Sequence, residues 1–229
     1  MKAEFPTNDV LATAVAVDRI QGFIRSGQGY TKEDGTVIDD NKTTIMKHLI
    51  GDNPVDVTDV DIAKANEIKE SFSSSLTFKK LGASLSEFDN AVLGLVTGDT
   101  CDTYKVAVAA SLPNSLRHTL KREGVKDTLD SLIGQSEVVG TLNKRSQFTL
   151  KVLDVTFIKK MDVHMITCLE SDKNVVKFWF SKDPDVTGIL EGNTITVTGF
   201  VKTQSKSKYS NCMETMINRV KIEKIAKNV

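Results

Sequence analysis

QFTLKVLDVTFIKKMDVHMITCLESDKNVVKFWFS, residues 147–181, carries three runs of β-branched, aromatic and aliphatic residues separated by polar turns. Runs of this kind bounded by Asp, Asn, Ser or Gly read as strands. Gln147–Ile158 is a long first strand and Asp162–Leu169 a second. The turn Ser171-Asp172-Lys173-Asn174 connects the second to a third, Val175–Ser181. Toward the C-terminus, a linker with Pro184 and Gly188 and the turn Glu191-Gly192-Asn193 lead to a fourth strand, Thr194–Lys202. The polar loop Thr203–Asn211 then precedes a fifth, Cys212–Ile225. Five strands with a long first one and a short irregular crossing between third and fourth predict a five-stranded OB-type β-barrel. A small sandwich built on the same strands is the alternative.

Toward the N-terminus the period changes near Gly134, and the apolar spacing becomes helical. Asn8 or Asp9 is placed to cap a helix holding Val10, Leu11, Ala14, Val15, Val17, Ile20, Phe23 and Ile24, which ends near Gly27. The turn dipeptide Asp34-Gly35 precedes a short helix from Lys42 to Ile50. Thr58 and Asp61 form a capping box ahead of Ile62, Ala65, Ile68 and Phe72. A further helix holds Phe78, Leu81, Leu85, Phe88, Val92 and Leu95, and Pro113 stands where a first helical position is expected. The class is therefore α+β: an N-terminal helical region of about five helices over residues 1–135, then the barrel over 136–229.

The 229 residues include 30 Lys+Arg and 30 Asp+Glu, yet the balance is uneven. From Ser136 onward there are 15 basic and 10 acidic residues, a charge of +5, which leaves −5 for the rest. A basic half fits a polyanion-binding module, although charges of this size also serve solubility alone. No run of eighteen apolar residues is present, and MKAEFPTNDV has neither the basic start nor the apolar core of a signal peptide. Cys101, Cys168 and Cys212 are odd in number and far apart, which argues against a disulfide framework. The expectation is a soluble cytoplasmic protein with no membrane partner.

The segments FTLKVLDV, VVKFWFS, LEGNTITVTGFVK and NRVKI, in that order from Phe148 to Ile222, resemble the C-terminal OB domain of phage-encoded single-stranded DNA-binding and replication-associated proteins. In that group a strand ending in an aromatic pair and Ser precedes a Leu-x-Gly-Asn/Asp turn, and a Gly-x-Val-Lys strand enters a basic hairpin. The resemblance covers Val138 to Ile225, and Asp59–Leu129 is broadly similar to the helical region that precedes the domain in some members. It implies single-stranded DNA binding in replication, recombination or repair, in the host cytoplasm if the chain is phage-encoded. Many replicative members end in an acidic tail, whereas this sequence ends in Lys224-Ile-Ala-Lys227-Asn-Val229. The departure favours nucleic-acid binding over the role of principal fork-coating protein.

A single strand requires cations along its backbone and flat side chains on which bases stack. OB folds present both on strands two and three and on the loops joining strands one to two and four to five. In strand three Val176, Phe178 and Phe180 are apolar and expected inside, which turns Val175, Lys177 and Trp179 outward. Trp179 beside Lys177 is then a stacking platform, or else a contact under the helical half. The first loop carries Lys159 and Lys160, with His164 just beyond. The fourth carries Lys202, Lys206, Lys208 and Tyr209 with no acid, either an electrostatic clamp or a solvated hairpin tip. Arg219 and Lys221 extend the track on strand five, and Phe200 points outward unless a bulge at Gly199 reverses it.

Catalytic patterns are missing from the sequence: no GxxxxGK, GxGxxG, CxxC or HExxH. His48, His118 and His164 lack neighbours at ligand spacing, so no metal and no cofactor is expected. The sequence reads as a binding protein and not an enzyme, with single-stranded DNA as ligand and the helical half serving assembly, as a homo-oligomer, or contact with replication proteins. RNA binding uses the same surface chemistry and stays open, as does a barrel that docks a polypeptide with no nucleic acid.

Overall fold

The computed structural model describes residues 3–227. The chain divides into two compact units, and the division falls between Leu120 and Lys121. Each unit has its own core.

The first unit opens with β1 (Glu4–Pro6) and α1 (Thr7–Gln21), followed by the short strands β2 (Tyr30–Thr31) and β3 (Val37–Ile38). Then come α2 (Asn41–Leu49), α3 (Asp59–Gly82), α4 (Glu87–Val96), β4 (Thr100–Asp102) and α5 (Thr103–Ser131). Helix α1 is buried continuously from Val10 to Val17. Its sequence there, VLATAVAV, is apolar but for Thr13, whose hydroxyl donates to the Asp9 carbonyl, as a helix enclosed by others requires. Ile45 of α2, Ala65 and Ile68 of α3, Leu95 of α4 and Leu112 of α5 complete the core around it. The ladder β1–β4 ties the entry of α1 to the entry of α5.

Several helix boundaries differ from the sequence expectation. Helix α1 starts at Thr7 without a side-chain cap from Asn8 or Asp9, and it stops at Gly22 (φ 73°), so Phe23 and Ile24 lie in the loop beyond it. The box of Thr58 and Asp61 is present at the start of α3. That helix continues to Gly82 because Asp61, Ala65, Ile68 and Leu76 keep one inward face throughout. Phe78 and Leu81 fall on the opposite face and are 79% and 83% exposed, not core residues of a separate helix. A second box, Ser86 with Asp89, starts α4. Pro113 lies inside α5 and not at its first turn, flanked by the buried Leu112 and Leu116. Among the described residues no helix is long and apolar enough to cross a membrane.

The second unit consists of the last turns of α5 followed by β5 (Arg145–Ile158), β6 (Val163–Glu170), β7 (Asn174–Phe180), a helical turn α6 (Pro184–Thr187), β8 (Thr194–Lys206) and β9 (Met213–Ala226). These strands form a closed barrel in the order β5-β6-β7-β9-β8. Strand β5 is long enough to pair with β8 through residues 145–151 and with β6 through 150–158, which closes the barrel. A bulge between Val152 and Asp154 lets it bend from one partner to the other. Only β7 and β9 run parallel. Closure in this order is the OB arrangement and rules out the sandwich. Phe148, Leu150, Ile166, Phe178, Ile195, Val197 and Ile217 fill the interior.

The segment between α5 and β5 is fastened to the barrel by polar contacts. The Ser136 hydroxyl donates to the Met213 carbonyl and accepts from the Val175 N–H, and the Val139 N–H donates to the Thr215 hydroxyl. Gly140 adopts φ 74°, and a Cβ there would meet Val201 Cγ2 at 2.9 Å.

Candidate nucleic-acid interface

Pairing of β6 with β7 sets Met165 opposite Trp179, Thr167 opposite Lys177 and Leu169 opposite Val175. Alternation turns this set outward while Ile166, Cys168, Val176 and Phe178 face the core. The outward face is not uniform. Leu169 and Val175 are buried, because Leu129 and Leu132 at the end of α5 pack over them together with Cys212. Half of the surface on which an OB fold is expected to take ligand is therefore occupied by the chain's own helix end.

Lys177 is not a free cation. Its Nζ lies 2.7 Å from Glu214 Oε2, and both side chains are mostly covered. The parallel pairing of β7 with β9 brings the two together. Trp179 is the open part of the face: it is 41% exposed and continues an outward row through Met165 to Thr156.

Lys159 and Lys160 sit exposed on the tight turn that joins β5 to β6, with Asp162 in the left-handed region at φ 53°. Neither lysine makes an ion pair among the described residues. His164 begins β6 opposite Phe157 on one side and Phe180 on the other. The rings of Phe157 and His164 stand 5.0 Å apart at 45°, and the buried His164 Nδ1 has no hydrogen-bond partner. Phe157 is 51% exposed. After the bulge in β5 it shares the inward parity of the partly buried Val155, and it is open to solvent because it stands at the end of the strand. Unbroken alternation from Phe148, Leu150 and Val152 would have turned it outward, and that is the signal by which the sequence could have named it.

Beside these rings lies a cleft of about 460 Å³ bordered by Asp183, Asp185 and Glu191. Lys121 Nζ is 2.5 Å from Glu191 and 3.9 Å from Asp154, so the one cation in the lining is already paired. The lining is thus acidic on balance, and the turn lysines Lys159 and Lys160 lie outside it.

The connection between β8 and β9 is shorter and stiffer than the expected loop 203–211. Strand β8 continues to Lys206, which leaves Ser207–Cys212 as the turn. Ser207 Oγ accepts from the N–H groups of Tyr209 and Ser210, and the Asn211 N–H donates to the Ser207 carbonyl. The Cys212 thiol donates to the Leu129 carbonyl at 2.9 Å. Lys202 and Lys206 are exposed on the strand and Lys208 on the turn, while Tyr209 is 97% exposed. None of the three lysines belongs to an ion pair among the described residues.

Phe200 keeps the outward parity and is half-buried opposite Asn218. No bulge reverses it, and Gly199 is needed because a Cβ there would meet Ile217 Cδ1 at 2.9 Å. The irregularity falls on β9 instead: Arg219, at φ 50°, has the parity of the buried Thr215 and Ile217 but is turned out to solvent. Its carbonyl accepts from Arg145 Nη2. Lys221 is exposed and paired with Glu223 at 3.1 Å.

Two cationic groups result, one at each end of β7. Lys159, Lys160 and Trp179 belong to its C-terminal end, where His164 has the inward parity of Ile166 and lies on the opposite face of the sheet from Trp179. Lys206, Lys208 and Tyr209 belong to the other end, where Val175 pairs with Glu214 at the start of β9. Val175 and Trp179 are separated by about 13 Å of strand, with the Lys177–Glu214 pair between them.

Burial raises the thiol of Cys168, and in the first unit it pushes Cys101 up to about 11. Both are protonated at neutral pH. No three His, Cys, Asp or Glu side chains converge as metal ligands among the described residues. Neither a protein-family model, a curated protein nor a solved structure matches this chain.

Proposed function

We propose that the barrel binds single-stranded DNA by backbone electrostatics and base stacking, with little dependence on base sequence. The observation that carries this reading is Trp179: a large aromatic side chain, 41% exposed on the third strand of an OB barrel, beside a turn with two unpaired lysines. Phe157 is also exposed, but it lines the acid-bordered cleft and belongs to the other face of the sheet, so Trp179 is the stacking ring of this reading. Exposed rings next to free cations are the two elements single-strand binding needs, and every base offers a face to stack. The contacts would go to phosphates and π-faces, so they position the strand without reading its sequence. The resemblance of the barrel strands to phage single-stranded DNA-binding and replication-associated proteins supports the same ligand, and the helical unit then serves assembly or partner binding.

Titration of the intrinsic fluorescence tests this directly, since Trp179 is the single Trp in the chain. An unstructured oligonucleotide should quench or shift its emission, duplex DNA much less, and affinity should fall as salt rises. Equal response to RNA would make the ligand single-stranded nucleic acid in general. A second reading, a barrel that docks a polypeptide, is favoured by the acid-bordered cleft and by the covered half of the β6–β7 face. It prevails if no single strand changes the emission at low salt.

A further inference from the structure

We propose that the helical unit carries a second site for single-stranded nucleic acid, in the groove between the α1–β2 loop, α4 and the N-terminal half of α5. The groove has a volume of about 330 Å³ and is lined by Phe23, Arg25, Lys42, Phe88 and Tyr104 among others, with no acidic residue in the lining. The three rings are 37%, 48% and 68% exposed respectively. Among the described residues none of them stacks on another ring. In a chain with 6% aromatic residues, three exposed rings from three separate elements in one groove call for an occupant.

The groove is built, not incidental. Buried Asn41 latches the loop after α1: its side-chain oxygen accepts from the Ile24 N–H and from Gln21, its amide donates to the Gly22 carbonyl, and its own N–H donates to the Ile24 carbonyl. That latch holds Phe23 and Arg25 beside the first turn of α2, where Lys42 lies. Asp40, the nearest acid in sequence, is engaged as the cap of α2 and by the Gly27 N–H. Arg25 and Lys42 form no ion pair among the described residues. Tyr104 stands in the first turn of α5, whose N–H groups at 104 and 105 donate to the Asp102 carboxylate. The floor is made by small residues of α5, Ala107 and Ala110, which leave room above them for a planar group.

Charge selects among occupants. Two cations in no ion pair, Lys42 within electrostatic reach of the capping Asp40, and no acid in the lining favour an anion, and three rings favour a planar partner. A nucleotide unit supplies both, with the base against Tyr104 or Phe88 and the phosphate at Arg25 and Lys42. The inference shares only its ligand class with the barrel reading and does not depend on it.

The test is photo-crosslinking of the full chain to a dT oligonucleotide carrying 5-iododeoxyuridine, with adducts mapped by peptide mass spectrometry and affinity followed by anisotropy. Adducts are expected on the peptides holding Phe23 and Tyr104. Tyr104→Ala should weaken binding roughly 5- to 150-fold in a background already lacking Trp179, Lys159 and Lys160, and Tyr104→Phe should restore it. Arg25→Ala should lower the slope of log K against log salt by about 0.7. Adducts confined to the barrel, or an affinity indifferent to both Tyr104→Ala and Arg25→Ala, overturn the proposal. Adducts at Tyr104 with an unresponsive Trp179 emission would leave this site standing and remove the barrel reading.

Discussion

Trp179 and Lys177 were indistinguishable as candidates in the sequence, since both alternate outward on the same strand, yet the fold gives them different prospects. Trp179 is partly open, whereas Lys177 is held by Glu214, a residue 37 positions away that only the parallel β7–β9 pairing delivers. Trp179→Ala should therefore weaken single-strand binding by about 1–3 kcal/mol, the worth of one base–aromatic stack. It should leave the melting temperature nearly unchanged, since the ring is not core; unfolding with unchanged binding per folded molecule would show the opposite. In the helical unit Asp61 is a buried carboxylate held by two partners. It accepts from Thr58 at the start of α3 and takes a two-pronged contact from Arg19, at 2.9 Å to each oxygen. The Arg19 hydrogen bond, ahead of the Thr58 contacts, holds its pKa at about 2 against an ordinary 3.8. A carboxyl depressed on folding stabilises at any pH above its unfolded value, and that contribution fades as pH falls from about 4 to about 2. Asp61→Asn should cost about 1–3 kcal/mol at neutral pH, and the gap to the unchanged protein should close in urea melts across that acid range. A constant gap would mean that Asp61 acts through packing and not through charge.

At the scale of elements, the five strands could be read from the sequence because β-branched alternation reports a half-buried ribbon without reference to its neighbours. Helix ends were harder. Phe78 and Leu81 look like core residues by type, and only the inward face fixed by Asp61, Ala65, Ile68 and Leu76 shows that they point to solvent. The role of α5 was not legible at all: its last turns belong to the barrel unit, and Leu132 is buried against Leu169, Val175 and Cys212. A change of hydrophobic period marks where helix gives way to strand, but not which core a helix end joins. The consequence can be measured with fragments. A fragment of residues 121–229 retains the cover over Leu169 and Val175, whereas 136–229 exposes both. The longer fragment should fold as a β protein with one short helix and should be the more stable of the two. In the full chain Leu132→Ala should cost about 2–3 kcal/mol, the lower part of the range for buried leucines, with the loss confined to the unit that contains the barrel. Equal stability of the two fragments would show that the α5 end merely rests on the barrel.

For the whole molecule, the sequence charge of +5 from Ser136 onward overstates what a polyanion can meet. Lys151, Lys177 and Lys221 are paired with Asp172, Glu214 and Glu223, and the acids at 183, 185 and 191 border one cleft of the barrel unit. Among the described residues the cations without an ion pair include Lys159 and Lys160 at one end of β7 and Lys206 and Lys208 at the other, with Lys202 between them and Lys144, Arg145, Lys173, Lys182, Arg219, Lys224 and Lys227 elsewhere on the unit. This sorting makes the salt dependence of binding a test of the arrangement, since each phosphate neutralised on a single strand contributes about 0.7 to the slope of log K against log salt. Replacing Lys202, Lys206 and Lys208 together with Ala should flatten the slope by about 2 units if all three meet phosphates, and weaken binding to every base sequence alike. Replacing Lys177 and Lys221 should change the slope far less, because a lysine already bound to a carboxylate releases little counterion when a phosphate approaches. The fold tolerates the first set of changes, since the turn 207–212 is held by Ser207 and Cys212 and by none of the lysines. Lost affinity at an unchanged slope would mean that the β8–β9 ribbon shapes the site without touching phosphate. A slope that responds to Lys177 and Lys221 as strongly as to the other three would place the strand on the covered part of the face, against the arrangement of α5.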